Sequence, residues 1–337
     1  MIRAMELARN GLGHVSPNPM VGCVIVRDDR IIGEGWHQQY GGPHAEVNAI
    51  NQVKDRDLVP GSEVYVNLEP CSHHGKTPPC AEMLVRSRVK HVIISNRDIN
   101  PLVHGKGIQI LKSAGIRVTE AVLSDEGTKL NIRFFTFHTK ERPYVILKWA
   151  ETADGYMARP NHDSKWISNE YSRQMVHKWR SEEDGIMVGA NTVIFDDPGL
   201  NVRDWTGKDP IRIIIDPHMK IRGIHKIHDQ KQKTLIYNLI EERNEGNVIF
   251  IKASEEFFLE NVLKDLKYQG IQSVMIEGGK YLLEKILQKG LWDEARVFLS
   301  SVTFGDGLTA PQLRGGELLE KQAIFDDQLF IYKNGIL

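Results

Sequence analysis

Three residues of the types that bind zinc lie near the amino end of this chain, in segments that only a folded structure can bring together. They are His44, Cys71 and Cys80, and both His44 and Cys80 follow a proline. Zinc prefers imidazole nitrogen and thiolate sulfur, and a catalytic zinc site uses three protein ligands and leaves a fourth position for water. The fold must therefore place three separate segments around one point, and this requirement constrains the chain more than any other feature.

The residues around this trio predict a catalytic site. His44 and Cys80 each open a predicted helix, and the partial positive charge of a helix N-terminus favours the thiolate form of Cys80. Glu46 lies two residues after His44, within reach of a water on the metal without being a ligand itself. Zinc lowers the pKa of its bound water to about 7, and a nearby carboxylate can move protons between that water and a ring nitrogen. His-x-Glu followed by Pro-Cys is the pattern of zinc deaminases that act on nucleobases.

The spacing of the two cysteines departs from that general pattern. Eight residues separate Cys71 from Cys80, where the general pattern has two, and the insert contains His73, His74 and Lys76. A closed structural site with His73 or His74 as fourth zinc ligand is the alternative. Glu46 argues against it, because a purely structural site has no use for a carboxylate there.

The remaining cysteine, Cys23, lies in an apolar strand and is predicted to be core.

Strand and helix signals alternate along both halves of the chain, which predicts α/β sheets with helices on both faces. The 337 residues suffice for two domains, and the charged run from Thr139 to Pro143 is the predicted boundary. We therefore expect domains at residues 1–141 and 142–337. Predicted strands of the first half are 21–26, 30–36, 63–67, 91–95 and 117–120, and predicted helices are 44–52, 80–88, 107–114 and 124–139. Predicted strands of the second half are 144–150, 185–188, 211–215, 235–237, 248–251, 273–276 and 294–299, with helices at 169–179, 257–269 and 281–288. A terminal hairpin is predicted over 323–332, turning at Asp327-Gln328.

Charge and composition favour a small substrate. The chain has 43 basic and 44 acidic residues, so it has no overall positive field to attract a nucleic acid, and we expect no nucleic-acid partner. No apolar run approaches the ~18 residues that predict a membrane span, and residues 1–10 lack the apolar core of a signal peptide. Three cysteines, an odd number, argue against a disulfide framework. The sequence thus predicts a cytoplasmic enzyme without membrane contact.

The first half closely resembles the riboflavin-biosynthesis deaminase family, which has a cytidine-deaminase-like α/β/α fold. The resemblance covers about 140 residues, and the long insert between the cysteines is itself a mark of this branch. The segments that carry it are Asn18-Pro19 with Val21-Gly22, His44-Ala45-Glu46, Glu69-Pro70-Cys71, Gly75-Lys76-Thr77-Pro78-Pro79-Cys80, Asp98-Ile99-Asn100-Pro101 and Gly105-Lys106-Gly107.

The second half resembles the reductase of the same pathway, which has a dihydrofolate-reductase-like α/β fold. The matching segments are Leu147-Lys148, Asp154-Gly155, Ser164-Lys165-Trp166-Ile167-Ser168, Gly189-Ala190-Asn191-Thr192-Val193, Asp196-Asp197-Pro198 and Glu277-Gly278-Gly279. The whole chain thus resembles the bifunctional deaminase–reductase family of riboflavin biosynthesis, a multifunctional enzyme that is both hydrolase and oxidoreductase. It departs from that family at Thr152-Ala153, where Ser-Leu is usual, and at Trp149 and Glu151, where smaller residues are usual.

The resemblance implies roles for individual residues. It implies zinc ligands at His44, Cys71 and Cys80, with Glu46 catalytic, and deaminase substrate contacts at Asn18, His73 and Lys76. It implies NADPH contacts at Ala150, Trp166, Thr192, Asp196, Gly279, Lys280, Tyr281, Leu282, Leu283, Glu284 and Lys285. It implies reductase substrate contacts at Lys148, Ser164, Arg180, Leu200, Arg203 and Glu277. Guanidinium groups bind phosphate bidentately, which suits Arg180 and Arg203 to a ribose phosphate, although a surface arginine is the commoner fate of any single one.

Independently of the resemblance, two glycine turns of the second half together favour a phosphate-bearing cofactor. Ile276 to Gly279 and Met187 to Thr192 each end a strand and precede a helix, where backbone N–H groups can bind phosphate. Tight packing explains either turn alone equally well, and neither is the G-x-G-x-x-G motif of dinucleotide folds. Lys220, Arg222 and Lys280 are candidates for the 2′-phosphate that distinguishes NADPH from NADH.

The expected reactions are two consecutive steps on one phosphorylated pyrimidine. The first is zinc-hydroxide deamination of 2,5-diamino-6-(5-phosphoribosylamino)pyrimidin-4(3H)-one, the work of an aminohydrolase acting on a cyclic amidine. The second is NADPH-dependent reduction of the ribosyl group of 5-amino-6-(5-phosphoribosylamino)uracil to ribityl. The alternatives are a nucleic-acid-editing zinc deaminase with an appended binding domain and a zinc-stabilised scaffold. A homo-oligomer is expected, since fused pathway enzymes of this kind often associate.

Overall fold

The computed structural model describes residues 1–72, 79–100, 103–165 and 167–335. The chain forms two compact units, Met1–Lys140 and Glu141–Leu337. Each unit combines a mixed sheet with helices, as the alternating strand and helix signals predict. Over the described ranges, no helix is both long enough and apolar enough to cross a bilayer.

The first unit is built on a five-stranded sheet of order β2-β1-β3-β4-β5, in which β3, β4 and β5 are parallel and β1 is antiparallel to both of its neighbours. Its elements are α1 (Ile2–Arg9), β1 (Gly22–Arg27), β2 (Arg30–Trp36), α2 (Ala45–Gln52), β3 (Glu63–Leu68), α3 (Cys80–Arg86), β4 (His91–Asn96), α4 (Lys106–Ser113), β5 (Arg117–Thr119), α5 (Ser124–Leu130) and α6 (Ile132–Thr139), with a 3-10 turn at Arg56–Leu58. The turn between β1 and β2 uses Asp28 and Asp29 at φ of 49° and 58°, the left-handed geometry that joins two strands tightly.

Two glycines of β2 let α2 pack directly on the sheet. A Cβ at Gly35 would overlap the backbone of Ala49 and lie 2.7 Å from the carbonyl oxygen of Ala45, and a Cβ at Gly33 would also overlap Ala49. Because only glycine permits this approach, the first turn of α2 and its Glu46 lie against the sheet.

The predicted single helix over 124–139 is wrong, because the structure divides it into α5 and α6 at Asn131. The Asn131 side chain accepts a hydrogen bond from Met20 N at 2.8 Å and donates one to Met20 O at 2.9 Å. A contact with a residue 111 positions away interrupts the helix, and the local sequence pattern carries no sign of it.

The second unit contains a ten-stranded sheet of order β11-β12-β10-β9-β8-β13-β6-β14-β17-β16, in which the strands from β12 to β14 are parallel. A separate pair joins β7 and β15. Its elements are β6 (Tyr144–Glu151), β7 (Tyr156–Ala158), α7 (Glu170–Glu182), β8 (Gly185–Gly189), α8 (Ala190–Asp196), β9 (Ile211–Ile215), β10 (Thr234–Asn238), β11 (Arg243–Glu245), β12 (Val248–Lys252), α9 (Phe258–Tyr268), β13 (Ser273–Gly278), α10 (Lys280–Gln288), β14 (Glu294–Leu299), β15 (Leu308–Thr309), β16 (Gly316–Ile324) and β17 (Asp327–Asn334), with a 3-10 turn at Lys226–His228.

The near-continuous apolar character of the central strands follows from burial on both faces, as is usual for parallel sheets. One core packs α9 and α10 against one face of the sheet, and a second core around Ile186 and Ile214 fills the other face.

The terminal hairpin exists, but its predicted turn is misplaced. Asp327 and Gln328 begin β17, and the chain reverses at Phe325 and Asp326, with Phe325 at φ 59°. Asp327 is held in the strand because its carboxylate accepts hydrogen bonds from Asn169 N and the Ser172 hydroxyl at the start of α7.

Candidate active sites

The three predicted zinc ligands converge in the first unit. Nδ1 of His44 lies 3.5 Å from Sγ of Cys71 and 3.4 Å from Sγ of Cys80, and all three donor atoms lie within 4.8 Å of one another. Zinc–nitrogen bonds of ~2.05 Å and zinc–sulfur bonds of ~2.3 Å at a tetrahedral angle put nitrogen and sulfur about 3.6 Å apart. In the described part of the chain this is the one group of His, Cys, Asp or Glu side chains so arranged. The donor set and its spacing therefore fit zinc.

Helix ends fix two of the ligands. His44 is the N-cap residue of α2, and Cys80 is the first residue of α3. The backbone N–H of Cys80 points at the Cys71 sulfur, 3.3 Å away, and Ala81 N donates to Cys71 O. Hydrogen bonding from Cys80 and then from His44 lowers the pKa of the Cys71 thiol to about 4. The site thus favours a thiolate before any metal binds.

Glu46 lies beside the ligands with 3% of its surface exposed. Burial raises the pKa of its carboxyl group above the ordinary value, and the neighbouring Cys71 thiolate raises it further. A carboxyl group with a raised pKa takes up and returns protons more readily near neutral pH.

Cys23 is fully buried in the core of this unit, as predicted, and burial raises the pKa of its thiol.

Sequence reasoning missed His37, which connects the metal site to Asn18. His37 Nδ1 lies 3.0 Å from the carbonyl oxygen of Pro43 and therefore donates, so Nε2 is left to accept from Asn18 Nδ2 at 3.1 Å. The His37 ring also packs edge-on against His44, with ring centroids 5.4 Å apart. Burial lowers the pKa of His37, which keeps the ring neutral and this pattern intact. A single histidine after a strand gave no signal of this role.

Part of the predicted deaminase substrate site lies outside the described residues. This applies to His73, His74 and Lys76, and in the second unit to Trp166, predicted to contact the cofactor. The alternative with His73 or His74 as a fourth zinc ligand falls in the same segment.

In the second unit, three predicted substrate residues form a buried charged group. Arg180 on α7 donates from Nε and Nη2 to the two carboxylate oxygens of Glu277, at 2.6 and 2.8 Å. Lys148 on β6 lies 4.0 Å from the same carboxylate. Burial alone would raise the pKa of Glu277, but the Arg180 charge and hydrogen bonds, with Lys148, lower it to about 2. Two of the three Arg180 guanidinium nitrogens, Nε and Nη2, are therefore occupied by Glu277. The sequence had instead suggested that the whole guanidinium group binds a phosphate.

The loop that carries Arg203 is anchored to α7 by two side chains. Arg180 Nη1 donates to Asn201 O at 3.1 Å, and Arg203 N donates to His177 Nδ1 at 3.4 Å. His177 Nε2 faces the Asp204 carboxylate at 3.3 Å. Burial and the nearby Arg180 charge lower the pKa of His177 to about 4, so the ring is neutral and can accept the Arg203 N–H. The Arg203 side chain itself stays 57% exposed.

The two glycine turns meet, as a phosphate-binding crevice requires. A Cβ at Gly279 would lie 3.2 Å from the Thr192 hydroxyl oxygen, so the turn before α10 packs beside the start of α8. Gly278 has φ 150°, which favours glycine. The nine-residue helix α10 begins directly after Gly279, and its first N–H groups lack helical acceptors by geometry. A close-approach cradle at a helix N-terminus fits a pyrophosphate-bearing cofactor such as NADPH.

The other predicted cofactor and substrate residues of this unit have the following local contacts. Ser164, a predicted substrate contact, donates its hydroxyl hydrogen to Asp196 at 3.4 Å. Lys280 donates to the Thr309 hydroxyl at 2.6 Å and lies 3.6 Å from Glu284. Tyr281 is exposed, with the Lys285 ammonium over its ring. Ala150 lies on β6, partly buried, two residues beyond Lys148.

Three of the predicted contact residues have side chains buried in the cores of the second unit. The side chains of Leu282 and Leu283 pack in the core beneath α10, and their N–H groups donate to Gly279 O. The Leu200 side chain is buried in the other core, and its carbonyl accepts from Gln232. A contact of these three residues with substrate or cofactor stays a prediction, and it would involve their backbone atoms rather than their buried side chains.

The two departures on β6 explain each other. The Trp149 indole N–H donates to the Glu151 carboxylate at 2.9 Å, on the face of β6 opposite to Lys148. A buried tryptophan needs such a partner, and the acid two residues along supplies it.

The comparisons with known proteins match both units. Residues 143–336 match the family model "RibD C-terminal domain", and residues 1–96 match "Cytidine and deoxycytidylate deaminase zinc-binding region". The riboflavin biosynthesis protein RibD of Aquifex aeolicus is 40% identical over 92% of this chain and 88% of its own length, and that of Escherichia coli is 36% identical over 90% and 88%.

Solved structures agree over the full length. A diaminohydroxyphosphoribosylaminopyrimidine deaminase/5-amino-6-(5-phosphoribosylamino)uracil reductase of Thermotoga maritima superposes with a TM-score of 0.91 at 36% identity, covering 99% of this chain and 97% of that one. RibD of Acinetobacter baumannii gives a TM-score of 0.90 at 38% identity, covering 98% and 97%. These matches confirm the cytidine-deaminase-like and dihydrofolate-reductase-like fold classes and do not favour an editing deaminase with an appended binding domain.

Proposed function

This chain belongs to the RibD family of riboflavin biosynthesis proteins, which join a zinc-dependent deaminase to an NADPH-dependent reductase, and we propose which of its residues perform each step. The first unit deaminates 2,5-diamino-6-(5-phosphoribosylamino)pyrimidin-4(3H)-one. The second reduces the product, 5-amino-6-(5-phosphoribosylamino)uracil, at its ribosyl group. The observation that carries the proposal is the presence of both sites in one chain, a His-Cys-Cys trio with Glu46 and a double glycine turn with Lys148.

In the deaminase unit, His44, Cys71 and Cys80 hold zinc and Glu46 moves the protons. Zinc, when bound, acidifies the attacking water. Glu46 takes a proton from that water, gives it to a ring nitrogen and then helps the amine leave as ammonia. The reaction consumes one water and releases one ammonia. Its burial excludes bulk water from this exchange and explains the raised pKa of its carboxyl group.

Asn18 orients the pyrimidine in the same unit. Asn18 Nδ2 donates one hydrogen bond to His37, which fixes the amide. An amide also has a carbonyl oxygen and a second hydrogen, and the ring edge of a pyrimidine offers a matching donor and acceptor. His73 and Lys76 complete the proposed substrate contacts.

In the reductase unit, Lys148 and Glu277 face the ribosyl group. NADPH, when bound, supplies the hydride for C1′ of the ribose. Lys148 lies at the substrate face of β6, and burial lowers the pKa of its ammonium group, which makes that group a better proton donor to the opening sugar. Arg180 holds the Glu277 carboxylate, which lies 4.0 Å from the Lys148 ammonium group and positions it. The exposed Arg203, with Ser164, binds the substrate's polar groups.

Separate assays of the two halves test this proposal. Glu46→Gln should abolish ammonia release while reduction of the deaminated intermediate continues at the wild-type rate. Lys148→Met should abolish NADPH oxidation while ammonia release continues. Ammonia release at the wild-type rate from Glu46→Gln would contradict the shuttle role, and undiminished NADPH oxidation by Lys148→Met would contradict the reductase assignment.

We also propose a homo-oligomer in a reducing compartment, the cytoplasm. The three cysteines are free thiols, two of them assigned to zinc, and free thiols persist in a reducing compartment. The homo-oligomer is proposed because fused pathway enzymes of this kind often associate. Sedimentation of the purified chain measures the oligomeric state, and a monomer at micromolar concentration would contradict the first part.

A further inference from the structure

The carboxylate of Glu69 is buried at the end of β3 and bound by three backbone N–H groups. Its Oε2 accepts from Asp98 N at 3.3 Å and from Gly105 N at 3.0 Å, and its Oε1 accepts from Ile108 N at 3.2 Å. Only 4% of the residue is exposed. Glu69 thus joins the end of one strand to the loop after β4 and to the first turn of α4.

The position of Glu69 links it to the metal site. It stands two residues before Cys71, and Pro70 between them has a fixed φ, so little freedom separates the anchored carboxylate from the sulfur. On its other side, Cys71 is held by Cys80 N and Ala81 N at the start of α3. Cys71 is therefore held on one side by the anchored Glu69 and on the other by the start of α3.

Two further residues complete the anchorage. A Cβ at Gly107 would overlap the carbonyl oxygen of Pro70 and approach the Glu69 carboxylate at 3.3 Å, so glycine there lets α4 meet this segment. Asp98 organises the loop, since its Oδ1 accepts from Asn100 N and its carbonyl oxygen lies 2.8 Å from His104 Nδ1. Residues 98–100 and 105–107 belong to segments that carried the family resemblance without an assigned role, and Asp98 N and Gly105 N from them bind the Glu69 carboxylate.

We propose that Glu69 is a positioning residue for the zinc ligand Cys71 and so sets the zinc affinity of the deaminase unit. This rests on Cys71 being a zinc ligand. A carboxylate suits the place because both of its oxygens accept hydrogen bonds there. An amide would turn an NH₂ group toward at least one N–H donor, leaving buried donors facing each other. Residues that orient metal ligands typically change metal affinity 10–100-fold when they are replaced.

Competition between the full-length protein and a chelator of known zinc affinity tests the proposal. Glu69→Gln should bind zinc 10–100-fold more weakly than wild type. At saturating zinc it should regain deaminase turnover to within about threefold, because it removes no group that touches the substrate. Glu82→Gln is the matched control, the same substitution on an α3 side chain at the surface, and should bind zinc within twofold of wild type.

The outcomes separate the possibilities. Zinc affinity of Glu69→Gln within twofold of wild type would overturn the proposal. If that variant fails to fold its first unit, Glu69→Asp decides: we expect zinc binding at least threefold weaker, and wild-type affinity overturns the proposal. Reductase turnover in the same chain reports that the second unit is intact. Undiminished zinc binding by Cys71→Ser would instead show that the ligand assignment fails.

Discussion

Glu277 is enclosed in the second unit, with Arg180 against both of its carboxylate oxygens and Lys148 nearby, and its replacement by glutamine tests how the reductase site is held together. The substitution keeps the shape and removes the charge. It leaves the Arg180 guanidinium buried without a counter-ion, since only 8% of that residue is exposed. Breaking a buried ion pair from one side usually costs about 3–5 kcal/mol.

The pKa of Glu277 gives an independent magnitude. It is lowered from 4.5 to about 2, and at ~1.36 kcal/mol per unit this corresponds to roughly 3 kcal/mol of stability. Because the folded-state pKa lies below the unfolded one, this stabilisation is fully present above pH 4.5 and is lost as the pH falls toward 2. The usual cost of breaking a buried ion pair and the lowered pKa of Glu277 thus both give a stabilisation of about 3 kcal/mol.

Urea unfolding of the full chain, followed by tryptophan fluorescence, measures the effect. Five of the six tryptophans belong to the second unit, so the signal reports mainly that unit. We expect Glu277→Gln to lower its free energy of unfolding by about 3 kcal/mol at pH 7 and to lack the loss of stability that wild type shows between pH 4.5 and 2. The double variant Arg180→Met with Glu277→Met should recover part of the difference, since it leaves no unpaired arginine, although Lys148 still lacks its carboxylate partner. A loss below about 1 kcal/mol for Glu277→Gln would show that the buried ion pair with Arg180 does not stabilise the second unit to this extent.

Three further perturbations test other parts of the account. Gly35→Ala should lower the stability of the first unit by about 1–3 kcal/mol, because its Cβ would overlap α2, and an unchanged melting temperature of the zinc-loaded protein would contradict that packing. His37→Ala should raise the deaminase KM about fivefold, the worth of one lost hydrogen bond to Asn18, with zinc content unchanged; an unaltered KM would remove His37 from the site. His177→Ala should raise the reductase KM about fivefold with kcat within twofold, because Arg203 N loses its acceptor, and an equal effect on the deaminase would point to general unfolding instead.

The zinc trio was predictable because its information is carried by adjacent residues. His-x-Glu and Pro-Cys combine residue types that have few other reasons to occur together, and their placement at helix starts follows from the prolines before them. The central strands of the second unit were also predictable, since parallel strands buried on both faces are continuous apolar runs bounded by polar residues.

What could not be predicted depends on partners distant along the chain. The sequence suggested that Arg180 binds a phosphate, but its partner Glu277 lies 97 residues away along the chain and accepts hydrogen bonds from two of its guanidinium nitrogens. The break at Asn131 follows from a contact with Met20, and no helical periodicity reveals it. His37 and His177 owe their roles to single hydrogen bonds that the fold creates.

As a member of the RibD family, this one chain deaminates a phosphorylated diaminopyrimidine and then reduces the product. The most direct measurement incubates the full-length protein with that substrate, with and without NADPH, and follows ammonia and product mass together. We expect ammonia in both cases, a mass that stops at the deaminated intermediate without NADPH, and one NADPH oxidised per ammonia released when it is present. NADPH oxidation ahead of ammonia release, or a deaminated product that this protein leaves unreduced by NADPH, would contradict the account.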